Sequence, residues 1–297
     1  MSPLQILWPF ARLFTKKFFN RLLPDRLQLH LTHAGYTGRI LNLRHPVRFS
    51  EKMEAIKLSP LVGRQQTLTD KLEVRTFVAE RIGEQHLIPV YRTFEQPEDI
   101  TRELLPESFV MKCTHDSGSV AICKDLRTFD VNNMIRELRR SYNRDYYRMH
   151  REYNYRGIPP RILCEQFLAE PDGKPPKDYK FFCFNGEPLF LQVDVDRFVS
   201  HDRVIYDPAW NKLPFNIKFP VSEKTIERPE NLDQMLDIAR KLSAGFPFLR
   251  VDLYSSRGNT WFGELTFCHG AGHELFIPDR YDIEYGQLID LRQYFKE

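Results

Sequence analysis

The chain has no C-x-x-C pair, no long apolar run, no surplus of one charge and no internal repeat, and each absence removes a class of function. The five cysteines, Cys113, Cys123, Cys164, Cys183 and Cys268, are odd in number, and most sit inside apolar, strand-like runs. They read as small core residues of a reduced, cytoplasmic protein, not as a disulfide framework. No stretch reaches the ~20 apolar residues that a bilayer span requires. With 43 basic against 40 acidic residues the net charge is +3. That is too balanced for non-specific nucleic-acid binding, which depends on basic excess, so no nucleic-acid partner is expected. What is present is globular: 297 residues, 42% hydrophobic and 28% charged, enough for one large domain or two interlocked ones.

Residues 1–24 interleave Leu4, Ile6, Leu7, Trp8, Phe10, Leu13, Phe14, Phe18, Phe19, Leu22 and Leu23 with Arg12, Lys16, Lys17 and Arg21. A helix here has a broad apolar face beside a basic one, which either lies peripherally on the inner membrane face or packs on its own domain or a partner subunit. Pro9 and Arg12 interrupt the apolar core that a secretory signal needs. Residues 25–65 read as helix and loop with Gly35-Tyr-Thr-Gly38 as a turn, and residues 70–82 as a helix stopped by Gly83. Strands are expected at 87–94, 109–113, 161–168 and 179–195, the last with an Asn185-Gly186 hairpin turn. Helices are expected at 130–142 and 231–243, capped by Asp130 and Asn231. Helices mixed with hairpins predict an α+β fold.

The loop Thr114-His-Asp-Ser-Gly-Ser119 lies between strands, whereas a Walker loop opens a helix, so a Walker NTPase is excluded. It is either a flap whose backbone covers phosphates, with Gly118 allowing close approach, or an ordinary β-turn. Lys112 and Lys180 sit in otherwise apolar strands. Each must bring its ammonium to an anion such as a nucleotide phosphate, or snorkel at a sheet edge.

Arg250-Val-Asp-Leu-Tyr254 and Trp261-Phe-Gly-Glu-Leu-Thr-Phe267 read as the arms of a hairpin. Alternation puts Arg250, Asp252 and Tyr254 on one face of the first arm and Phe262, Glu264 and Thr266 on one face of the second. A turn centred on Gly258 sets Asp252 opposite Glu264, roughly 4.5–5.5 Å apart at Cβ, which demands a neutralising cation. Oxygen ligands suit magnesium. Alternatively a one-residue slip separates the carboxylates, or Arg250 pairs with them.

Asp70-Lys71, Phe109-Val-Met-Lys-Cys-Thr-His-Asp-Ser-Gly118, Pro160-Arg-Ile-Leu-Cys-Glu-Gln-Phe167, Asp178-Tyr-Lys-Phe-Phe-Cys-Phe-Asn-Gly186, Arg250-Val-Asp-Leu-Tyr254 and Phe262-Gly-Glu-Leu-Thr-Phe267 occur in this order. Together they resemble the teichuronopeptide-biosynthesis, or TupA-like, branch of the ATP-grasp superfamily, from about residue 35 to Gly286. The resemblance implies two α+β lobes closing on ATP, with 25–108 as an N-terminal region, 109–168 as the lobe with the flap and 169–297 as the lobe with the metal site. It implies that Lys112 and Lys180 contact phosphates, that His115, Ser117, Gly118 and Ser119 cover them, and that Glu165 marks the hinge beside the adenine. Asp252 and Glu264 would bind magnesium. Thr266 stands where many superfamily members carry an asparagine ligand, and threonine is a weaker donor. Arg250 either stabilises the transferring phosphoryl group or forms a structural ion pair with Asp252. The implied activity is an ADP-forming carboxylate-amine ligase that works through an acylphosphate. Its implied partners are an amine or amino acid and a uronic-acid carboxylate of a cell-surface polysaccharide precursor. His269-Gly-Ala-Gly-His273 either lines the acceptor pocket or forms a tight turn. The tyrosines and arginines of 139–156 are either glycan contacts or a packed helix surface. A glycosyltransferase of the same pathway, or a non-catalytic nucleotide- or glycan-binding module, remains as the alternative.

Overall fold

The computed structural model describes residues 23–195 and 202–295. The amphipathic segment expected at 1–24 therefore lies outside the described residues except for Leu23 and Pro24. Helix α1 (Asp25–Thr37) runs through Gly35 and ends at Gly38 in the left-handed conformation, φ 69°. The turn expected at Gly35–Gly38 is thus the last turn of a helix closed by a left-handed glycine. Next come α2 (Phe49–Ile56) and α3 (Val74–Ile82). The second begins later than its periodicity suggests because Asp70 is extended and spends its carboxylate on the amides of Leu72 and Glu73, at 2.8 and 3.2 Å. Gly83 ends it at φ 96°, as expected.

Strands β1 (Val90–Phe94), β2 (Phe109–Cys113), β3 (Ala121–Cys123) and β4 (Ile162–Glu165) form a sheet of order β1-β4-β2-β3. Helix α4 (Val131–Tyr142) lays Val131, Met134 and Leu138 against it, spaced for one helix face, and Asp130 caps α4 by accepting from the Asn133 amide at 2.9 Å. A short helix α5 (Tyr146–His150) follows. The second sheet has order β10-β9-β5-β6-β7, from β5 (Lys177–Phe184), β6 (Glu187–Val195), β7 (Asp202–Tyr206), β9 (Phe248–Ser256) and β10 (Asn259–Thr266). A two-stranded ribbon joins β8 (Asn216–Ile217) to β11 (Phe276–Ile277). Every pairing among the described strands is antiparallel, as an α+β chain built of hairpins requires.

Helix α6 (Leu232–Ser243) covers one face of the five-stranded sheet through Leu232, Met235, Ala239 and Leu242. The expected Asn231 cap is not made. Its side chain instead donates to Thr260 and accepts from Ser255, both at 2.8 Å, tying α6 to the β9–β10 hairpin. On the other face, Phe182, Phe184, Phe190 and Phe248 pack with Phe49 of α2 and Tyr285 of α7 (Arg280–Gln287). The cores of the two sheets are separate clusters, and α2 and α3 contribute to the larger. Among the described residues, no helix is long and apolar enough to cross a membrane. All five cysteines are free and buried, as their apolar settings predict.

Candidate active site

The β9–β10 hairpin brings Asp252 and Glu264 opposite each other by a route other than the one expected. Its turn is the two-residue Arg257-Gly258, both with positive φ (51° and 76°), so Asn259 pairs with Ser256 and Phe262 with Leu253. That register alone would leave Asp252 facing Gly263. A bulge between Phe262 and Glu264 inserts the extra residue and restores the Glu264–Asp252 pairing. Gly263 is required here, because a Cβ would meet the Asp252 carbonyl oxygen at 2.9 Å. The bulge also corrects the expected face: Phe262 is buried in the core beside Leu253, while Glu264 and Thr266 share the other face, with Thr266 Oγ1 donating to Glu264 Oε1 at 3.0 Å.

Register carries this row onward across the sheet, with Asp252 opposite Lys180 of β5 and Lys180 opposite Gln192 of β6. The charges interlock. Arg250 donates to both oxygens of Asp252 at 2.7 Å, and its Nη2 also donates to Glu264 at 2.9 Å. Lys180 Nζ donates to Asp252 at 3.0 Å and to Asp178. Thus the ion pair between Arg250 and Asp252 that the sequence left open is formed, and Arg250 supplies the counter-charge that the facing carboxylates need. Burial would lift Asp252, but Arg250 and Lys180 overcome it and bring it down to about 2. Burial likewise opposes the charge of Lys180, yet Asp178 and Asp252 raise its value. Arg250 Nη1 donates to Nδ1 of His269 at 2.8 Å, which assigns the His269 proton to Nε2, 3.4 Å from Glu274. Burial pushes His269 down to about 4, so it is neutral.

The loop 114–119 joins β2 to β3, with a bonded stem and an exposed tip. Ser119 Oγ accepts from the Cys113 amide at 3.0 Å and donates to Asp116. His115 is buried, edge-on to Tyr142 at 6.1 Å. Ser117 and Gly118 alone are exposed in the run 114–118, and Gly118 is glycine for its φ of 97°, not for space. Of the residues expected to cover phosphates, His115 is packed on Tyr142 and Ser119 is bonded within the loop, while Ser117 and Gly118 form the exposed tip. Lys112 and Glu165, expected in separate roles, are an ion pair at 2.5 Å on neighbouring strands.

Sequence reasoning gave no role to several residues found here. Lys71 Nζ donates to the carbonyl of Asp116 and its amide donates to Thr114 O at 3.2 Å, holding the flap stem against the larger lobe. Burial lowers its basicity, and Asp116, Glu264 and Lys112 all lie within electrostatic reach. Asp178, Asp194, Arg203 and Glu274 extend the charged face, with Arg203 2.8 Å from Asp194 and 3.1 Å from Glu274. Alternation in β6 and β7 was the available signal, and alternation alone does not distinguish a buried charged face from a solvated one. The His269–His273 run is a tight turn: Gly270, Ala271 and Gly272 have positive φ, and His269 and His273 are spent on Arg250 and Glu54. The tyrosines of 142–155 are likewise used internally, Tyr147 and Tyr153 both donating to Asp25, at 2.7 and 3.0 Å.

The donors suit a magnesium ion in kind and charge. Asp252 and Glu264 are hard oxygen ligands on adjacent strands, within reach of the buried cations Lys180 and Arg250. Among the described residues, no group of three or more His, Cys, Asp or Glu side chains surrounds one point. Any metal here would complete its shell with water and phosphate oxygens.

Two antiparallel α+β lobes, one carrying a glycine-tipped loop and the other a buried charged sheet face, define an ATP-grasp fold. The chain belongs to the TupA-like ATP-grasp family, whose model matches residues 51–290. Comparison with the curated proteins gave no match. Among solved structures the chain is similar to the D-alanine-D-alanine ligase of Bacillus anthracis complexed with ATP, at 15% identity over 82% of this chain and 65% of that one, TM-score 0.43. It is also similar to the L-amino acid ligase of Bacillus licheniformis, at 15% identity over 98% of this chain and 62% of that one, TM-score 0.49. The chain therefore spans less than two thirds of the length of either structure.

Proposed function

We propose that the protein is an ADP-forming carboxylate-amine ligase that joins an amine or amino acid to a uronic-acid carboxylate of a cell-surface polysaccharide precursor. The observation that carries this reading is the row Glu264, Asp252, Lys180 on three neighbouring strands, with Arg250 tied into it and Lys71 joining it to the flap. Such a row presents carboxylates for a metal beside cations for phosphate, in a setting where their charges act at low dielectric. Membership of the TupA-like family supports the ATP-dependent part. The acceptor class rests on the resemblance alone.

In this reading the tip Ser117-Gly118 lies over the phosphates, Lys112 and Lys180 contact them, and the strand end at Glu165 lies beside the adenine. Asp252 and Glu264, with Thr266 orienting Glu264, would hold magnesium, which when bound neutralises charge on the transferring phosphoryl group. A carboxylate oxygen of the acceptor attacks the γ-phosphorus, the bond to the β-phosphate oxygen breaks, and ADP leaves. The amine then attacks the acyl carbon, the carbon-oxygen bond to phosphate breaks, and an amide forms. Arg250 fixes the orientation of Asp252 and Glu264 through three hydrogen bonds and is itself held by a fourth, to His269.

ADP release measured with MgATP, a panel of uronic acids and a panel of amino acids tests the proposal. The ligase releases ADP in repeated turnovers only when carboxylate and amine are both present, and carboxylate alone gives at most one ADP per site. Nucleotide bound without turnover would favour a binding module, and sugar transfer without ADP would favour a glycosyltransferase.

A further inference from the structure

We propose that Glu54 is a positioning residue for phosphoryl transfer: through His273 it clamps the far end of the 269–273 turn, so that His269 holds Arg250 in place. This deepens the ligase reading and rests on it. Three of the four hydrogen bonds of Arg250 run to Asp252 and Glu264, the carboxylates that a metal would claim. The fourth runs to Nδ1 of His269 at 2.8 Å. His269 is therefore the partner, among the described residues, that keeps Arg250 oriented when those carboxylates are turned elsewhere. A neutral imidazole nitrogen does this without cancelling the charge that a phosphoryl group needs. Whatever fixes His269 decides where the guanidinium points.

His269 opens a turn whose conformation needs support. Gly270, Ala271 and Gly272 are consecutive left-handed residues, at φ 55°, 48° and 72°, and Ala271 carries a Cβ that disfavours this region. Such a conformation persists where its surroundings over-determine it. On one side Glu274, 3.4 Å from His269 Nε2, is itself held by Arg203 and Lys218 at 3.1 and 2.9 Å. On the other, His273 Nε2 lies 3.0 Å from Glu54 Oε1, and a Cβ on Gly272 would stand 3.0 Å from the same oxygen. Glu54 of α2 is fully buried, with Lys57 donating to its Oε2 at 2.8 Å and His33 of α1 3.8 Å away. Burial would lift its carboxyl, but Lys57, His273 and His33 overcome this and hold it well below the usual carboxylate range. Tyr36 of α1 stacks on His273, ring centroids 4.4 Å apart. An apolar pair of similar volume in place of Glu54 and Lys57 would stabilise α2 about as well. It would leave His273, and with it the turn, without a fixed partner.

Long-range proton–nitrogen NMR on protein labelled at its nine histidines reads this directly, because a hydrogen-bonded Nδ1 with the proton on Nε2 has its own pair of nitrogen shifts. His269→Gln identifies the signal. His273→Ala should lose the bonded Nδ1 signature of His269 and lower kcat for ADP release by about tenfold to 100-fold, with KM for MgATP within about twofold. His273→Gln, whose amide can still reach Glu54, should recover part of both. Glu54→Leu with Lys57→Met removes both buried charges together and should match His273→Ala. If either the His269 signal or kcat is unchanged in His273→Ala, the proposal falls, as it does if only the melting temperature drops. Loss in His273→Ala without loss in the Glu54 and Lys57 variant overturns the assignment to Glu54. Wild-type protein that releases no ADP with any uronic acid and amino acid overturns the ligase reading, and the His269 signals then still decide whether Glu54 holds the turn.

Discussion

Replacing Asp252 with asparagine separates the two ways in which the facing carboxylates can be stabilised. Sequence leaves both open: two facing like charges whose neutralisation is harmless without metal, or a salt bridge with Arg250 whose loss destabilises. The structure predicts a loss, because Asp252 is the common partner of two buried cations: Arg250 at 2.7 Å through both oxygens and Lys180 at 3.0 Å. The side chains of Asp252, Lys180 and Arg250 are only 3%, 9% and 10% exposed, so solvent screens little. Removing one partner of a buried pair costs about 3–5 kcal/mol, and the fall of Asp252 from 3.8 to about 2 corresponds to about 2 kcal/mol. Asparagine keeps one acceptor for Arg250, so about 2–4 kcal/mol is expected, a drop in Tm of about 3–6 °C for a chain of this size. Because the folded value is depressed, this stability is complete above about pH 4 and is lost as pH falls through about 2. Thermal melting in magnesium-free buffer at neutral pH measures the difference. Asp252→Asn melting at or above wild type would refute the ion-pair account and return the site to one held apart until metal arrives.

Gly263→Ala should cost about 1–3 kcal/mol and most of the turnover, since its Cβ collides with the Asp252 carbonyl and the bulge that aligns the carboxylates is lost. A variant with wild-type melting and turnover would show that the bulge is dispensable. Lys71→Ala should speed amide exchange across 114–119 by about tenfold even without nucleotide, because Lys71 ties the flap stem through Asp116; unchanged exchange would mean that other contacts hold it. Glu152, raised from 4.5 to about 7, contributes stability that is present below about pH 4.5 and lost as pH rises through about 7. Glu152→Gln should therefore melt higher than wild type near pH 8, by up to about 3 kcal/mol, with the gap closing near pH 4.5. A gap independent of pH would mean that Glu152 is already paired.

Much of this was readable from local pattern. Alternation in β5, β9 and β10 announces strands, Asp130 and Gly83 bound their helices, and the flap is recognisable because strands flank it on both sides. The pairing of Asp252 with Glu264 was reached from a turn centred on Gly258, whereas the molecule reaches it through a shorter turn and a bulge. Bulges are set by contacts across strands, here the closeness of Gly263 to the Asp252 carbonyl, so residue order does not announce them. The same is true of the joins between distant segments. Lys71 meets Asp116 and Arg250 meets His269 only once the lobes and the 269–272 turn are folded, and the isolated helix or strand carries no signal of either contact. Glu152 lay unremarked in a run of tyrosines and arginines, because its burial is set by tertiary packing.

The central claim, that carboxylate and ATP meet here to form an acylphosphate, is tested most directly by following a heavy oxygen. The protein is incubated with MgATP, an amino acid and a uronic acid labelled with heavy oxygen in its carboxylate, and the released phosphate is analysed by mass spectrometry. Acylphosphate formation predicts one labelled oxygen in phosphate, appearing together with ADP and amide. Unlabelled phosphate, or ADP formed without the carboxylate, would contradict it.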